Sequence, residues 1–571
     1  MVLNQILPAL GISQGRYTRI MGTDFLPSWT IDANHVDKEN GFEIKEKQPS
    51  MDVNQASQPR RVGVRQSVIV ASRIILPSFI SNRLYSRSRP KSTTPPRPTA
   101  YFDGLRGVAA FIVYIFHYSY LWFPILRNGY GSAESNHLFW QLPIIRVIHS
   151  GRASVSIFFL ISGFVLSVKT ISIIKASGSK LNSEKVLDSI SGSVFRRPFR
   201  LYPSIVVQTA IIAVLARWPT LHQPIVDNNP ATIPPTLRTA SEQFWHWLSV
   251  LGGQFNPFQF APGRTTQFPN PYDGHLWTIP VEWNGSMMIF LLMIALCRSK
   301  TWVRTSVLLF IIAWAFQLGF CDQAMFLAGP VLAELSLTWP PFHEYSLSDE
   351  ENVNDGGAKF GQKHWKNYGL IHYLGHVTTI FWFLLGCHLC SWPESLGAQS
   401  TGYQTLAAKY TPAPYHGNET MTQFFWLSLG GILIMLALMY SPPIRQNGND
   451  EPLLQRLFTN RFASYLGDLS YSMYLCHSSV NEIVGMRYLR PAWYAWMDAD
   501  KEAQSLVQQN QLDAAQVIWD EANARYMRRW VMGAFVNTFV LFWVSDLFNR
   551  AVDARSVRFT KKVSEWAKKK Y

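Results

Sequence analysis

Charge and cysteine are both scarce in this chain: only 16% of its 571 residues are Asp, Glu, Lys or Arg, and there are five cysteines. So little charge, beside 48% hydrophobic and 14% aromatic residues, excludes a string of soluble domains and points to a membrane protein. Cys297, Cys321, Cys387, Cys390 and Cys476 all fall in or beside apolar segments, which excludes a disulfide framework. Cys387-His388-Leu389-Cys390 has the spacing of half a metal site, but no second half accompanies it, so no metal is expected. The N-terminus lacks the charged, apolar and small-residue order of a secretory signal, and no cleavage is expected.

Acidic residues are the scarcer sign, leaving a net charge of +15, and the two ends supply +13 of it. Residues 1–100 carry fourteen Lys or Arg against seven Asp or Glu, and residues 550–571 carry eight against two. These polar ends also hold the mean hydropathy to +0.01. Flanking apolar segments, such charge orients a chain in a membrane and meets anionic headgroups, so membrane lipids rather than nucleic acid are the expected partners. Residues 1–100 read as a disordered basic cytosolic region; Ser86 to Pro98 has too little apolar surface to fold, and residues 67–81 are too short and broken to span.

Apolar runs able to cross about 30 Å of hydrocarbon lie near 104–124, 153–173, 203–217, 277–297, 304–321, 322–338, 371–391, 423–440, 466–488 and 529–549. The fold expected is therefore all-α, a polytopic transmembrane bundle of ten helices over residues 101–550, with residues 551–571 as a basic cytosolic tail. Lys/Arg counts test the parity. With both termini cytosolic, the basic stretches 168–202, 298–304 and 441–465 all fall inside, and the poorly basic 218–276 connection falls outside. So does 392–422, whose sequon Asn418-Glu419-Thr420 is a candidate glycosylation site, whereas Asn284-Gly285-Ser286 lies within a span and should be inert. Residues 489–528 read as one outer surface helix.

Two ionisable groups interrupt the first span. Arg106 and His117 are eleven residues apart, which brings them within about 20° of one helix face and separates them by about 16 Å. Side chains of this kind inside a membrane are retained for function. The stretch resembles the opening of the acyltransferase 3 family, whose first helix carries Arg-x10-His. Ser162-Gly163-Phe164, Arg196-Arg197-Pro198-Phe199-Arg200-Leu201-Tyr202-Pro203, His275-Leu276-Trp277-Thr278-Ile279-Pro280-Val281-Glu282-Trp283 and Leu469-Ser470-Tyr471-Ser472-Met473-Tyr474-Leu475-Cys476-His477 resemble that family's further blocks, in its order. The resemblance covers residues 100 to 550, is strongest to fungal members, and implies transfer of an acyl group, acetyl above all, from coenzyme A to a hydroxyl.

His117 is the expected general base, since an imidazole titrates where it can take a hydroxyl proton and return it to a leaving thiolate. Glu282, placed by residue counting at the same depth, is the expected orienter or second acid/base, the alternative being a structural pair with an arginine such as Arg152. Arg106, with Arg196, Arg197 and Arg200 on the same side, suits the phosphates of acyl-CoA. Tyr474 and His477 share a helix face and are acceptor-site candidates or a rival base. His275 and Trp277 mark the outer mouth. Ser162-Gly163 permits close helix packing. The expected protein is an O-acyltransferase of the endomembrane system or plasma membrane that uses acyl-CoA, acetyl-CoA by resemblance, and a lipid, glycan or secondary-metabolite hydroxyl. A secondary transporter or exporter is the rival, and a silent receptor or scaffold a third possibility.

Overall fold

The computed structural model describes residues 76–78, 80–81, 99–177, 182–218, 234–256, 270–339, 368–446 and 449–567. The expectations for the basic N-terminal region fall almost wholly outside them, as do ten of the fifteen residues 67–81 and the last four residues. The chain divides into a unit of residues 29–95 and a second of residues 1–28 and 96–571, to which everything below belongs.

The protein is all-α: 81% of the described residues are helical, short turns of helix included, and thirteen longer helices carry the fold. They are α1 (Ala100–Tyr120), α2 (Gly151–Ala176), α3 (Ser183–Leu215), α4 (Ala240–Gln254), α5 (Thr278–Leu296), α6 (Thr301–Gln317), α7 (Cys321–Thr338), α8 (Tyr368–Cys390), α9 (Glu419–Met439), α10 (Arg461–Val480), α11 (Met486–Gln508), α12 (Leu512–Phe548) and α13 (Ala554–Ala567). Among the described residues six stretches are long and apolar enough to cross a membrane: those of α2, α3, α5, α8, α9 and α12. Among the described residues the only sheet is a hairpin pairing Pro443–Gln446 with Asn449–Pro452.

Small residues set the closest helix contacts, as they do where helices pack in lipid. α1 and α10 touch at Gly107 and Gly467, where a Cβ on Gly107 would stand 2.2 Å from the Gly467 amide nitrogen. α2 and α7 touch at Gly163 and Gly329, where a Cβ on Gly163 would meet the Phe326 carbonyl oxygen at 2.1 Å. Ser162-Gly163 is thus a packing site, as its sequence indicates.

Four boundaries differ from the sequence reading. α3 begins at Ser183, twenty residues before the apolar run, and passes through Pro198 and Pro203 without ending. Pro203 has no amide hydrogen, so the Phe199 carbonyl four residues back loses its helical donor; the Thr560 hydroxyl of α13 donates to it at 2.8 Å. Residues 554–567, expected to be tail, are therefore a docked helix. Residues 489–528 are not one helix but the end of α11 and the start of α12, reversed at Asn510 (φ 64°), a residue type that tolerates the left-handed region. The division expected within 304–338 is present, the chain breaking between α6 and α7 at Gly319 (φ 78°). In the 218–276 connection α4 is additional, started by Thr239 and Glu242 capping one another's amides.

Candidate active site

The Gly107–Gly467 contact fixes what happens ten residues further along each helix. α1 and α10 run in the same direction, so His117 and His477 arrive side by side, their ring centroids 5.3 Å apart. A third imidazole comes from the turn before α5. There the Asp273 carboxylate accepts from the His275 amide at 3.0 Å, winding residues 274–277 into a tight turn that projects the His275 ring to 4.2 Å from His117 and 4.7 Å from His477.

Hydrogen bonds assign the protons. Asp273 Oδ1 lies 2.9 Å from His275 Nδ1, and a buried carboxylate can only accept, so Nδ1 carries the hydrogen. In the tautomer with hydrogen on Nδ1 the lone pair lies on Nε2, and His275 Nε2 faces His117 Nδ1 at 3.3 Å. His117 Nδ1 is the donor in that bond, and the lone pair of the His117 ring falls on Nε2. The other Asp273 oxygen accepts from Gln208 Nε2 at 2.8 Å; Gln208 also donates to the Leu475 carbonyl at 3.0 Å, tying α3 to α10. The carboxylate linked to His117 is thus Asp273, through His275, where the sequence reading expected Glu282.

Glu282 sits seven residues beyond His275, about 10 Å further along the chain axis. Its fully buried carboxylate accepts from Arg197 Nη2 and, at 2.8 Å, from the Ser162 hydroxyl, while Arg197 Nε donates to Ser286 at 2.8 Å. This corrects the expected pairing with His117: burial of a carboxylate and a guanidinium requires that they neutralise one another, and α3 brings Arg197 to Glu282 from the basic block. The alternative partner, Arg152, is engaged elsewhere, with Glu394 at 3.3 Å and Gln423 at 2.7 Å.

At the Arg106 end the charges group differently. Arg106 is buried and donates to Asp103 at 2.9 Å, and its Nε meets no acceptor among the described residues. Arg200 donates to Asp553 at 2.9 Å, which fastens α3 to the turn between α12 and α13. Arg196 is half-buried, with no carboxylate partner among the described residues. The basic block thus divides into one arginine pairing with Glu282, one pairing with Asp553 and one left beside Gly192.

Tyr474 and His477 share a face, as expected, but Tyr474 supports the histidines rather than facing a ligand. Its hydroxyl donates to the His275 carbonyl and lies 2.9 Å from the Thr278 hydroxyl, and its own carbonyl accepts from His477 Nδ1 at 2.6 Å. Trp277, expected at an interface, is 1% exposed and packs inside the bundle. Asn418 is exposed and its Oδ1 caps α9 at the Met421 amide, 3.1 Å away, whereas Asn284 is buried. Cys387 and Cys390, like the other three cysteines, are free thiols.

An apolar cavity of about 220 Å³ opens between α3, α10 and α12, lined by residues that include Ile211, Leu215, Cys476, Val540 and Val544, with Gln208 and Ser479 as its polar residues; Gln208, through Asp273, links it to the histidines, which do not line it. Asp273 and Gln208 are functional candidates that the sequence reading missed. The signal was present in both cases: an Asp two residues before a candidate His, and polar Arg200, Ser204 and Gln208 recurring every four residues in an apolar span.

Comparison with known proteins agrees with the resemblance. Residues 99–499 match the model of the acyltransferase domain. The O-acetyltransferase PaAT-1 of Phomopsis amygdali is 28% identical over 428 residues, 72% of this chain and 77% of that protein. The acyltransferase R4 of a Phoma species is 23% identical over 418 residues, 67% of this chain and 82% of the relative. The acyltransferase clz18 of Cochliobolus lunatus is also 23% identical, across 66% of this chain and 82% of its own length. No solved structure matches. With the family model spanning most of its length, and Arg106, His117, His275 and Glu282 buried or half-buried along one interior seam, the chain belongs to the acyltransferase 3 family.

Proposed function

We propose that the protein is an acyl-CoA-dependent O-acyltransferase of ten membrane spans, with both termini cytosolic, in which His117 is the general base. The observation that carries the reading is the chain Asp273–His275–His117, which assigns the His117 lone pair to Nε2. In the reaction, His117 Nε2 takes the acceptor hydroxyl proton as that oxygen attacks the thioester carbonyl carbon. The tetrahedral adduct collapses by breaking the carbon–sulfur bond, and the imidazolium returns its proton to the thiolate, giving ester and free CoA thiol. Asp273 and His275 hold the ring and offset the positive charge that develops on it.

Arg106 and Arg196 suit the donor's phosphates, because neither has its guanidinium satisfied by a buried carboxylate as Arg197 does. Glu282 is a positioning residue that keeps Arg197 in place. The apolar cavity supports a lipophilic hydroxyl as acceptor, and acetyl is the acyl group favoured by the name of the Phomopsis relative. The acyltransferase relatives favour the enzyme over an exporter.

The test is transfer from labelled acetyl-CoA by the purified protein to a panel of lipophilic alcohols, sterols and glycans. Ester formation by the wild type, reduced at least 10²-fold in His117→Ala with fold intact, is the expected result. Undiminished transfer by His117→Ala would overturn the assignment of the base.

A further inference from the structure

Three imidazoles from three separate elements, α1, α10 and the turn before α5, converge so that one ring nitrogen of each lies within 4.8 Å of the other two. The inner edge of this triangle, His275 Nε2 to His117 Nδ1, is 3.3 Å. That is a hydrogen-bond length, and it is also the ligand-to-ligand edge of a tetrahedron whose metal–nitrogen bonds are about 2.05 Å, which comes to about 3.3 Å. The surroundings match as well. His275 places its outer nitrogen on the Asp273 carboxylate at 2.9 Å, and His477 places its Nδ1 on the Tyr474 carbonyl at 2.6 Å. A carboxylate or carbonyl behind each ring is how proteins fix the tautomer of a metal-bound histidine. In both rings this makes Nε2 the nitrogen whose lone pair can serve a metal.

We propose that His117, His275 and His477 hold one divalent cation of the zinc type, and that its binding switches the acyl transfer off. Three neutral imidazoles with an open fourth position suit Zn²⁺ and its neighbours in the transition series, and offer little to Mg²⁺ or Ca²⁺, which take oxygen ligands. The off state follows from the tautomer. A cation seated between the rings takes the His117 Nδ1 lone pair in place of its hydrogen, and a neutral imidazole bound through Nδ1 carries its hydrogen on Nε2. The ring then has no lone pair with which to accept the hydroxyl proton. No proton is gained or lost overall; it moves from Nδ1 to Nε2. The inhibitory half rests on the proposed role of His117, whereas the binding half stands on the geometry of the three rings alone.

The test uses the full chain, purified in detergent and stripped with a chelator. Calorimetric titration with Zn²⁺ should give one equivalent bound, and Co²⁺ should give the visible absorption of a tetrahedral nitrogen site. His477→Gln should weaken binding at least 10-fold, and Asp273→Asn, which leaves all three ligands in place, should weaken it 10- to 100-fold. Should His477→Gln fail to elute as a folded protein, Asp273→Asn supplies the comparison. Zn²⁺ should suppress acyl transfer, EDTA should restore it, and Mg²⁺ should do neither. Absence of stoichiometric binding, binding indifferent to both substitutions, or saturation with Zn²⁺ at undiminished activity would each overturn the proposal. Lack of any transfer by the metal-free wild type would count against His117 as base, while the calorimetric stoichiometry would still decide the site.

Discussion

Asp273 is the residue on which the site's proton arrangement turns, because its carboxylate accepts from His275 Nδ1 and so places the hydrogen there. Asp273→Asn offers an amide that can donate as well as accept, which frees His275 to flip its tautomer and deprives His117 of its acceptor. The expected outcome is a fall in kcat of about 10²- to 10⁴-fold with little change in the KM for the acyl donor; a change confined to KM would place Asp273 outside proton transfer. Glu282 should behave differently. Glu282→Gln leaves Arg197 buried and uncompensated, which costs about 3–5 kcal/mol, so the variant should lose stability first, and Glu282→Leu with Arg197→Met should recover much of it in a thermal-denaturation assay. A third residue governs acid sensitivity. His149 donates through Nε2 to the Trp140 carbonyl and accepts the Tyr120 hydroxyl at Nδ1, both at 2.8 Å; burial, helped by nearby Arg146, lowers its pKa from 6.5 to about 4. The folded state therefore binds its proton more weakly than the unfolded state. Stability is at its full value above pH 6.5 and declines as pH falls towards 4, by at most about 3 kcal/mol. Melting temperatures measured across that range should show the decline, and His149→Asn should flatten it.

Among the elements, α9 offers a separable test, since Asn418 is both its N-cap and the candidate glycan carrier. The cap uses Oδ1 and a glycan would be attached through Nδ2, so the two roles are compatible. Thr420→Ala should abolish a glycosidase-sensitive mass shift and leave stability unchanged, whereas Asn418→Ala should abolish the shift and also cost about 1 kcal/mol. A mobility unaffected by either substitution would show the sequon unused. The elements also show how much of the fold was legible in the sequence. α2, α5 and α9 are apolar along nearly their whole length, and their cores coincide with the predicted runs. α3 was half hidden, because its first twenty residues are polar and contain a proline, and they are helical through contacts with α13 that no local pattern announces. The site was legible to the same extent. Arg106 and His117 declared themselves by being charged in an apolar helix. The partner of His117 did not, because residue counting along α5 gives depth but not azimuth, and it was azimuth that sent Glu282 to Arg197 and left the approach to His117 to His275.

Across the whole molecule, the arginine-bearing end of α3 is held by the far end of the chain. Asp553 takes Arg200, and Thr560 takes the carbonyl that Pro203 releases. Truncation after Phe548 should therefore raise the KM for the acyl donor and lower thermal stability, and Thr560→Val should reproduce a small part of the stability loss, about 1 kcal/mol; a truncated protein with an unaltered donor KM would separate this end from donor binding. The same pair of contacts has a bearing on biosynthesis. A ribosome releases α3 hundreds of residues before α13, so during synthesis the third helix carries a backbone carbonyl with no helical donor and an arginine without its carboxylate. Only the later synthesis of Asp553 and α13 supplies both. An early stop codon would thus leave a chain whose apolar helices are all made but whose third helix is unfinished, and quality control in the membrane would meet that unfinished helix, rather than an exposed core, as the mark of incomplete synthesis.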